Sequence, residues 1–167
     1  MANGTTWLID GHNLMHAIPW LAKSYASDRA GTINRLCDLV GISSAKSRTS
    51  AIVVFDGFPI KIIHKPPNLS VVFSREKQAD VLIRRRLKKS ANRNWVLVSA
   101  DGELVSAARL VGTKTEKPTV FASKLNLHSP GKNSGKSGKR KGSIPFEPEI
   151  DQAEVKQLLQ WFKLKDS

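Results

Sequence analysis

The sequence is short of cysteine, of acids and of long apolar runs. Cys37 is the single cysteine among 167 residues. One thiol allows neither an internal disulfide nor a thiolate metal cluster. Its place in an apolar-periodic segment predicts a buried structural thiol. No run approaches the roughly 18 apolar residues that a membrane span requires. The N-terminal MANGTTW has no basic region and no long apolar stretch of the kind a secretory leader carries. These absences predict a soluble cytoplasmic protein without a membrane partner. No internal repeat is visible. Acids are outnumbered, 14 Asp and Glu against 27 Lys and Arg, for a formal net charge of +13. That imbalance points to a polyanionic partner, nucleic acid before an acidic surface.

At 40% apolar residues, the chain can bury an ordinary core. Four short continuous apolar runs read as strands covered on both faces: WLID (7–10), AIVVFD (51–56), LSVVFS (69–74) and WVLVSAD (95–101). A weaker fifth run is PTVFAS (118–123), with Pro118 suited to a strand's first residue. Helical periodicity occupies 28–41, with Gly41 as its stop, then 79–89 and 103–111. Alternating strands and helices predict an α/β fold with a mainly parallel sheet. The Pro- and Lys-rich stretch 57–68 reads as a loop.

The domain is expected to cover residues 1–128. Residues 129–147 form a basic linker: within 129–143 there are five Lys or Arg, four Gly and no acid or apolar side chain. Such a segment cannot offset its ordering entropy by burial. Residues 148–167 carry Val155, Leu158, Leu159 and Phe162 at helical spacing, with Asp151 as cap, and predict an amphipathic helix docked on the domain. The linker's GKNSGKS resembles a phosphate-binding loop, but only three residues separate Gly131 from Gly135 where four are required, and position 130 is Pro. No amphipathic helix opens after it, so an NTPase is not expected.

The acids fall in a pattern. Asp10, Asp56 and Asp101 each close an apolar strand, and Asp80 lies in the first turn of the Arg-rich helix. The C-terminal ends of parallel strands lie on one edge, where ligands of such folds bind. Each acid alone reads as a cap or turn residue. Four at one edge would repel one another unless a cation neutralised them. A hard divalent ion, Mg²⁺ or Mn²⁺, takes such oxygen ligands, and with a basic surface around it the set reads as a metal-dependent nuclease. Asn13 has two open readings, helix cap or active-site amide. His12 and His16 are four apart, but no H-E-x-x-H motif or third zinc ligand accompanies them.

Four pieces in order, LIDGHN (8–13), VVFDG (53–57), VVFS…QADVLI (71–83) and VSADGEL (98–104), resemble the NYN domain of the PIN-like nuclease superfamily, in its YacP-like branch. The resemblance runs from about residue 6 to about residue 126, and the tail EIDQAEVKQLLQWF is similar to a terminal helix of some members. It implies a Rossmann-like three-layer α/β/α PIN-like fold and a Mg²⁺- or Mn²⁺-dependent endoribonuclease acting in mRNA turnover or at the ribosome. The matching positions make Asp10, Asp80 and Asp101 the metal ligands, for one or two ions, with Asp56 beside them and Asn13 in the first motif. Three positions depart from the family pattern: His12 replaces a usual tyrosine, while Gln78 and Val81 stand where many relatives have acids, leaving less negative charge beside Asp80. Glu76 and Glu103 are the nearest candidates to compensate.

RNA phosphates would meet Arg84, Arg85, Lys88, Lys89 and Arg93, together with Lys132, Lys136, Lys139, Arg140 and Lys141 of the linker. Such contacts are salt-dependent and largely blind to sequence. Two alternatives stand beside the nuclease: a non-catalytic RNA- or ribosome-binding module of the same fold, and the toxin half of a toxin–antitoxin pair with the same chemistry.

Overall fold

The computed structural model describes residues 4–91 and 93–125. The basic segment 129–147 with its five cations, and the helix expected over 148–167, lie outside the described residues.

Eleven elements follow in the order β1 (Thr6–Asp10), α1 (Gly11–His16), α2 (Pro19–Tyr25), α3 (Arg29–Lys46), β2 (Ser50–Phe55), β3 (Leu69–Phe73), α4 (Ala79–Lys88), β4 (Trp95–Val98), α5 (Gly102–Leu110), β5 (Lys114–Glu116) and α6 (Pro118–Lys124). The five strands form one sheet in the order β3-β2-β1-β4-β5, and every pairing is parallel.

Alternation within each strand separates two cores. Ile9, Val53, Phe55 and Val98 face one side, where Leu14, Leu21, Ile33, Leu36 and Phe121 cover them from α1, α2, α3 and α6. Leu8, Val54 and Leu97 face the other, beneath Ile83 and Leu87 of α4 and Leu104 and Ala108 of α5. The layers are therefore α/β/α. Each fully buried Leu or Ile contributes about 1.5–3 kcal/mol of transfer free energy. Cys37 belongs to the first core, and burial pushes its thiol up to about 12, the state of an unreactive packing residue.

The sheet corrects one strand. PTVFAS is not the fifth strand: Pro118–Lys124 is helical, and Lys114–Glu116 pairs with β4. Pro118 occupies the first helical turn, where a missing N–H costs nothing. Phe121, Ala122 and Leu125 are buried together, at a helical spacing that the β-branched Thr119 and Val120 concealed. The expected stop at Gly41 is also corrected, since α3 continues to Lys46. Gly41 is instead a point of close approach: a Cβ there would sit 2.8 Å from Pro66 Cγ of the 56–68 loop. That loop lies against α3, where Asn34 donates to Lys61 O and accepts from Ile63 N–H. Helices α1 and α2 were not anticipated. Strands β2, β3 and β4 end at Phe55, Phe73 and Val98, so Asp56 follows its strand by one residue and Asp101 follows by three.

Candidate functional site

The strand order reverses direction between β1 and its neighbour β4: β2 and β3 extend to one side of β1, and β4 and β5 to the other. Such a switch opens a crevice at the carboxyl ends of the strands. Asp10 sits there as the last residue of β1 and the N-cap of α1. It is only 5% exposed. Its Oδ1 accepts from Asn13 N–H at 3.2 Å and its Oδ2 from Asn13 Nδ2 at 2.7 Å, with Ser99 Oγ at 3.5 Å. Burial raises the pKa of Asp10. The two Asn13 hydrogen bonds work against that rise, and the charges of Asp56 and Asp80 add to it. Three of the four acids thus share one field.

Asn13 is neither an N-cap nor a free amide. It lies inside α1, and its Oδ1 accepts from Ala100 N–H at 3.2 Å, tying β1 to the segment after β4. Asp101 is the N-cap of α5, where its Oδ1 accepts from Glu103 N–H and Leu104 N–H. It connects to Asp10 through Ser99, whose Oγ accepts from Asp101 N–H at 3.1 Å. Asp56 Oδ1 accepts from Ala79 N–H at 2.7 Å and so fixes the start of α4. Asp56 itself is held in place because Gly57, at φ +88°, takes a turn that side chains resist. That turn is anchored to the end of β3, where Gly57 N–H donates to Ser74 Oγ and Arg75 N–H to Gly57 O.

Gly11 has a steric role beneath this edge. A Cβ there would fall 2.4 Å from the Phe55 ring, so a glycine is what lets α1 begin directly on β2.

His12 is half-buried, and burial lowers its pKa although Asp56 works against the shift. Asp56 N–H donates to Nδ1 at 3.4 Å, which places the proton of the neutral ring on Nε2, 2.9 Å from Tyr25 Oη. Arg29 Nε donates to the same hydroxyl, and its Nη2 donates to Asp56 O and Phe58 O. The network braces the Asp56 loop. Tyr25 and Arg29 carried no sequence signal, because their roles depend on loops that meet only in the fold. Ser99, at the end of β4 and two residues before Asp101, was the most discoverable.

Glu103 is 81% exposed and pairs with Arg84 across α4 and α5, so neither is a free ligand or a free phosphate contact. Glu76 is exposed in the turn before α4. Arg84 is one turn from Asp80, but α4 rises about 1.5 Å per residue and carries Lys88, Lys89 and Arg93 away from the acids towards the start of β4. Among the described residues, no three Asp, Glu, His or Cys side chains stand close enough to ligate one metal ion. The donor set fits Mg²⁺ or Mn²⁺ held by one or two carboxylates with water and substrate oxygens, and does not fit an all-protein cage.

The model of the YacP-like NYN domain matches residues 7–163. The chain belongs to the YacP-like NYN domain family. Its fold is that of two crystal structures of Rae1 (YacP) from Bacillus subtilis. One is of a tryptophan-to-leucine mutant, with 20% sequence identity, a TM-score of 0.61, and coverage of 72% of this chain and 73% of that one. The other gives 19%, 0.61, and 72% of each chain. No curated protein sequence matches. The three-layer α/β/α fold expected from the sequence is thus established. No helix among the described residues is long and apolar enough to cross a membrane.

Proposed function

We propose that this YacP-like protein is a Mg²⁺- or Mn²⁺-dependent endoribonuclease of the cytoplasm. The observation that carries the reading is Asp10: a buried carboxylate at the sheet's switch point, raised by burial and by the charges of Asp56 and Asp80, in a chain of net charge +13. A protein with so many cations to spare gathers its acids at one edge at an energetic cost, and a divalent cation relieves it. Asp10, Asp80 and Asp101 are the proposed ligands, divided so that any one ion takes at most two of them together with water and substrate oxygens. A bound divalent cation supplies charge neutralisation at the phosphate and acidifies water.

The chain's own residues do the rest. Asn13 and Ser99 orient the Asp10 carboxylate. Asp56 holds the N-terminus of α4, and with it Asp80. The basic surface holds the RNA backbone, and affinity should fall steeply with salt. The substrate is RNA at the ribosome or in mRNA turnover, as the family resemblance implies.

The second reading, an RNA- or ribosome-binding module without catalysis, draws on the absence of three assembled ligands among the described residues and on Gln78 and Val81 flanking Asp80. Cleavage of a structured RNA with Mn²⁺ separates the two. The nuclease reading expects wild-type protein to cut and Asp10→Asn and Asp101→Asn to lose most of that activity while still binding RNA. If all three bind RNA and none cuts, the binding module is the correct description.

A further inference from the structure

Beside the acids, a cavity of about 770 Å³ opens over β4 and β5, between α1, α5 and the start of α6. None of Asp10, Asp56, Asp80 and Asp101 lines it; it shares Asn13 and Ser99 with their hydrogen-bond network and extends away from them. Its volume lies within the range of small-molecule sites, about 300–1,000 Å³. The lining includes an apolar part and a cationic part among other polar side chains. Ala17, Val105 and Pro118 give apolar surface, and Arg109 and Lys117 give cations. Both cations are exposed, and among the described residues neither makes an ion pair. The one acid in the lining, Glu116, is neutralised by Lys124 Nζ at 2.6 Å, so the cavity keeps a positive balance.

Gly102 opens α5 at the cavity wall. Its φ is not positive, and a Cβ there would meet nothing within 4 Å. Neither backbone geometry nor packing requires this glycine, and its lack of a side chain leaves the cavity wider.

We propose that this cavity is a nucleotide subsite. It takes one nucleotide of the RNA strand adjoining the phosphate at the acids, with the base against Ala17, Val105 and Pro118 and a phosphate between Arg109 and Lys117. The apolar surface accepts the face of any base, and the two cations read only charge, so recognition is of a nucleotide rather than of a sequence. The proposal rests on the RNA-nuclease reading for its substrate, but its test does not require cleavage.

The test titrates AMP and UMP into the full chain, followed by amide chemical shifts, for wild type, the double variant Arg109→Ala/Lys117→Ala and Gly102→Leu. Unchanged circular dichroism confirms that each variant folds. Wild type should bind saturably, with shifts centred on Gly102, Arg109 and Lys117. The double variant and Gly102→Leu should each weaken binding by about tenfold or more. Loss of the two cations should also reduce the salt dependence of RNA binding by about one to two phosphate contacts. The proposal is overturned if wild type shows no saturable binding at about 10 mM nucleotide, enough to fill a millimolar site. It is equally overturned if both cavity variants bind as well as wild type. A protein that binds nucleotide in this pattern but cuts no RNA refutes the nuclease reading and leaves the subsite standing.

Discussion

Asn13 holds Asp10 from two sides, donating its backbone N–H to one carboxylate oxygen at 3.2 Å and its side-chain Nδ2 to the other at 2.7 Å. The same amide accepts from Ala100 N–H, so a single side chain joins the carboxylate to the neighbouring strand's end. Hydrogen bonds to a charged group contribute about 1.5–3 kcal/mol. Asn13→Ala should therefore lower the free energy of unfolding by about 1–3 kcal/mol, read from the midpoint of urea denaturation at constant slope. An unchanged midpoint would show that the amide does not carry this join.

The pH dependence of stability should report Asp10 directly. Its carboxyl is raised above the ordinary 3.8 by burial, then by Asp56 and Asp80, against the Asn13 hydrogen bonds. The folded state thus holds this proton more tightly than the unfolded chain does. Stability from the group is fully present below 3.8 and is lost as pH rises through the folded value. Asp10→Asn has no such proton. The stability of wild type relative to Asp10→Asn should fall as pH rises through that window and then level off. A difference that is flat with pH, or that rises, contradicts the raised pKa. His12 acts in the opposite sense, since its pKa is lowered by burial: its contribution is present above 6.5 and is lost as pH falls through the folded value. Because His12 is common to both proteins, comparing them isolates Asp10.

Divalent cation should stabilise the fold by relieving the same repulsion. At ten times its Kd, a ligand that binds only the native state adds about 1.4 kcal/mol, a rise in Tm of a few degrees for a domain of this size. Mn²⁺ should raise the Tm of wild type and leave Asp10→Asn and Asp80→Asn almost unmoved. Equal rises in all three would place the cation elsewhere on the protein.

Buried periodicity made the layers and the edge of the sheet legible in the sequence. Strands β1 to β4 are continuous apolar runs because both faces are covered, and α3, α4 and α5 show their faces at helical spacing. The short helices α1 and α2 were hidden because six or seven residues give too few turns for a period to emerge. Thr119 and Val120 disguised α6 as a strand, and a tertiary contact with Pro66 made Gly41 resemble a stop. At the site, the sequence supplied the acids but not their relations. That Asp101 reaches Asp10 through Ser99, that Asp56 fixes α4, and that Arg84 is occupied by Glu103 all depend on loops brought together by the sheet.

The contact between Gly11 and Phe55 offers a test of how tightly the site is built onto the core. Phe55 is fully buried, stacks with Phe73 at a centroid distance of 5.7 Å and meets the His12 ring edge-on at 5.8 Å. A ring so enclosed has little room to retreat from a Cβ at 2.4 Å. Gly11→Ala should therefore destabilise the protein by about 1–3 kcal/mol, the usual cost of overpacking, despite alanine's better helix propensity. Phe55→Leu alone should also destabilise, through the space it leaves. Combined, the two should cost less than the sum of their separate effects, because the methyl enters the volume that the smaller side chain vacates. A coupling of about 0.5 kcal/mol or more in that direction, measured by a double-mutant cycle in urea, is the expected result. Strict additivity would mean that α1 shifts bodily away from β2 instead, in which case Asp10 and Asn13 would move with it and Gly11→Ala alone should also reduce RNA cleavage.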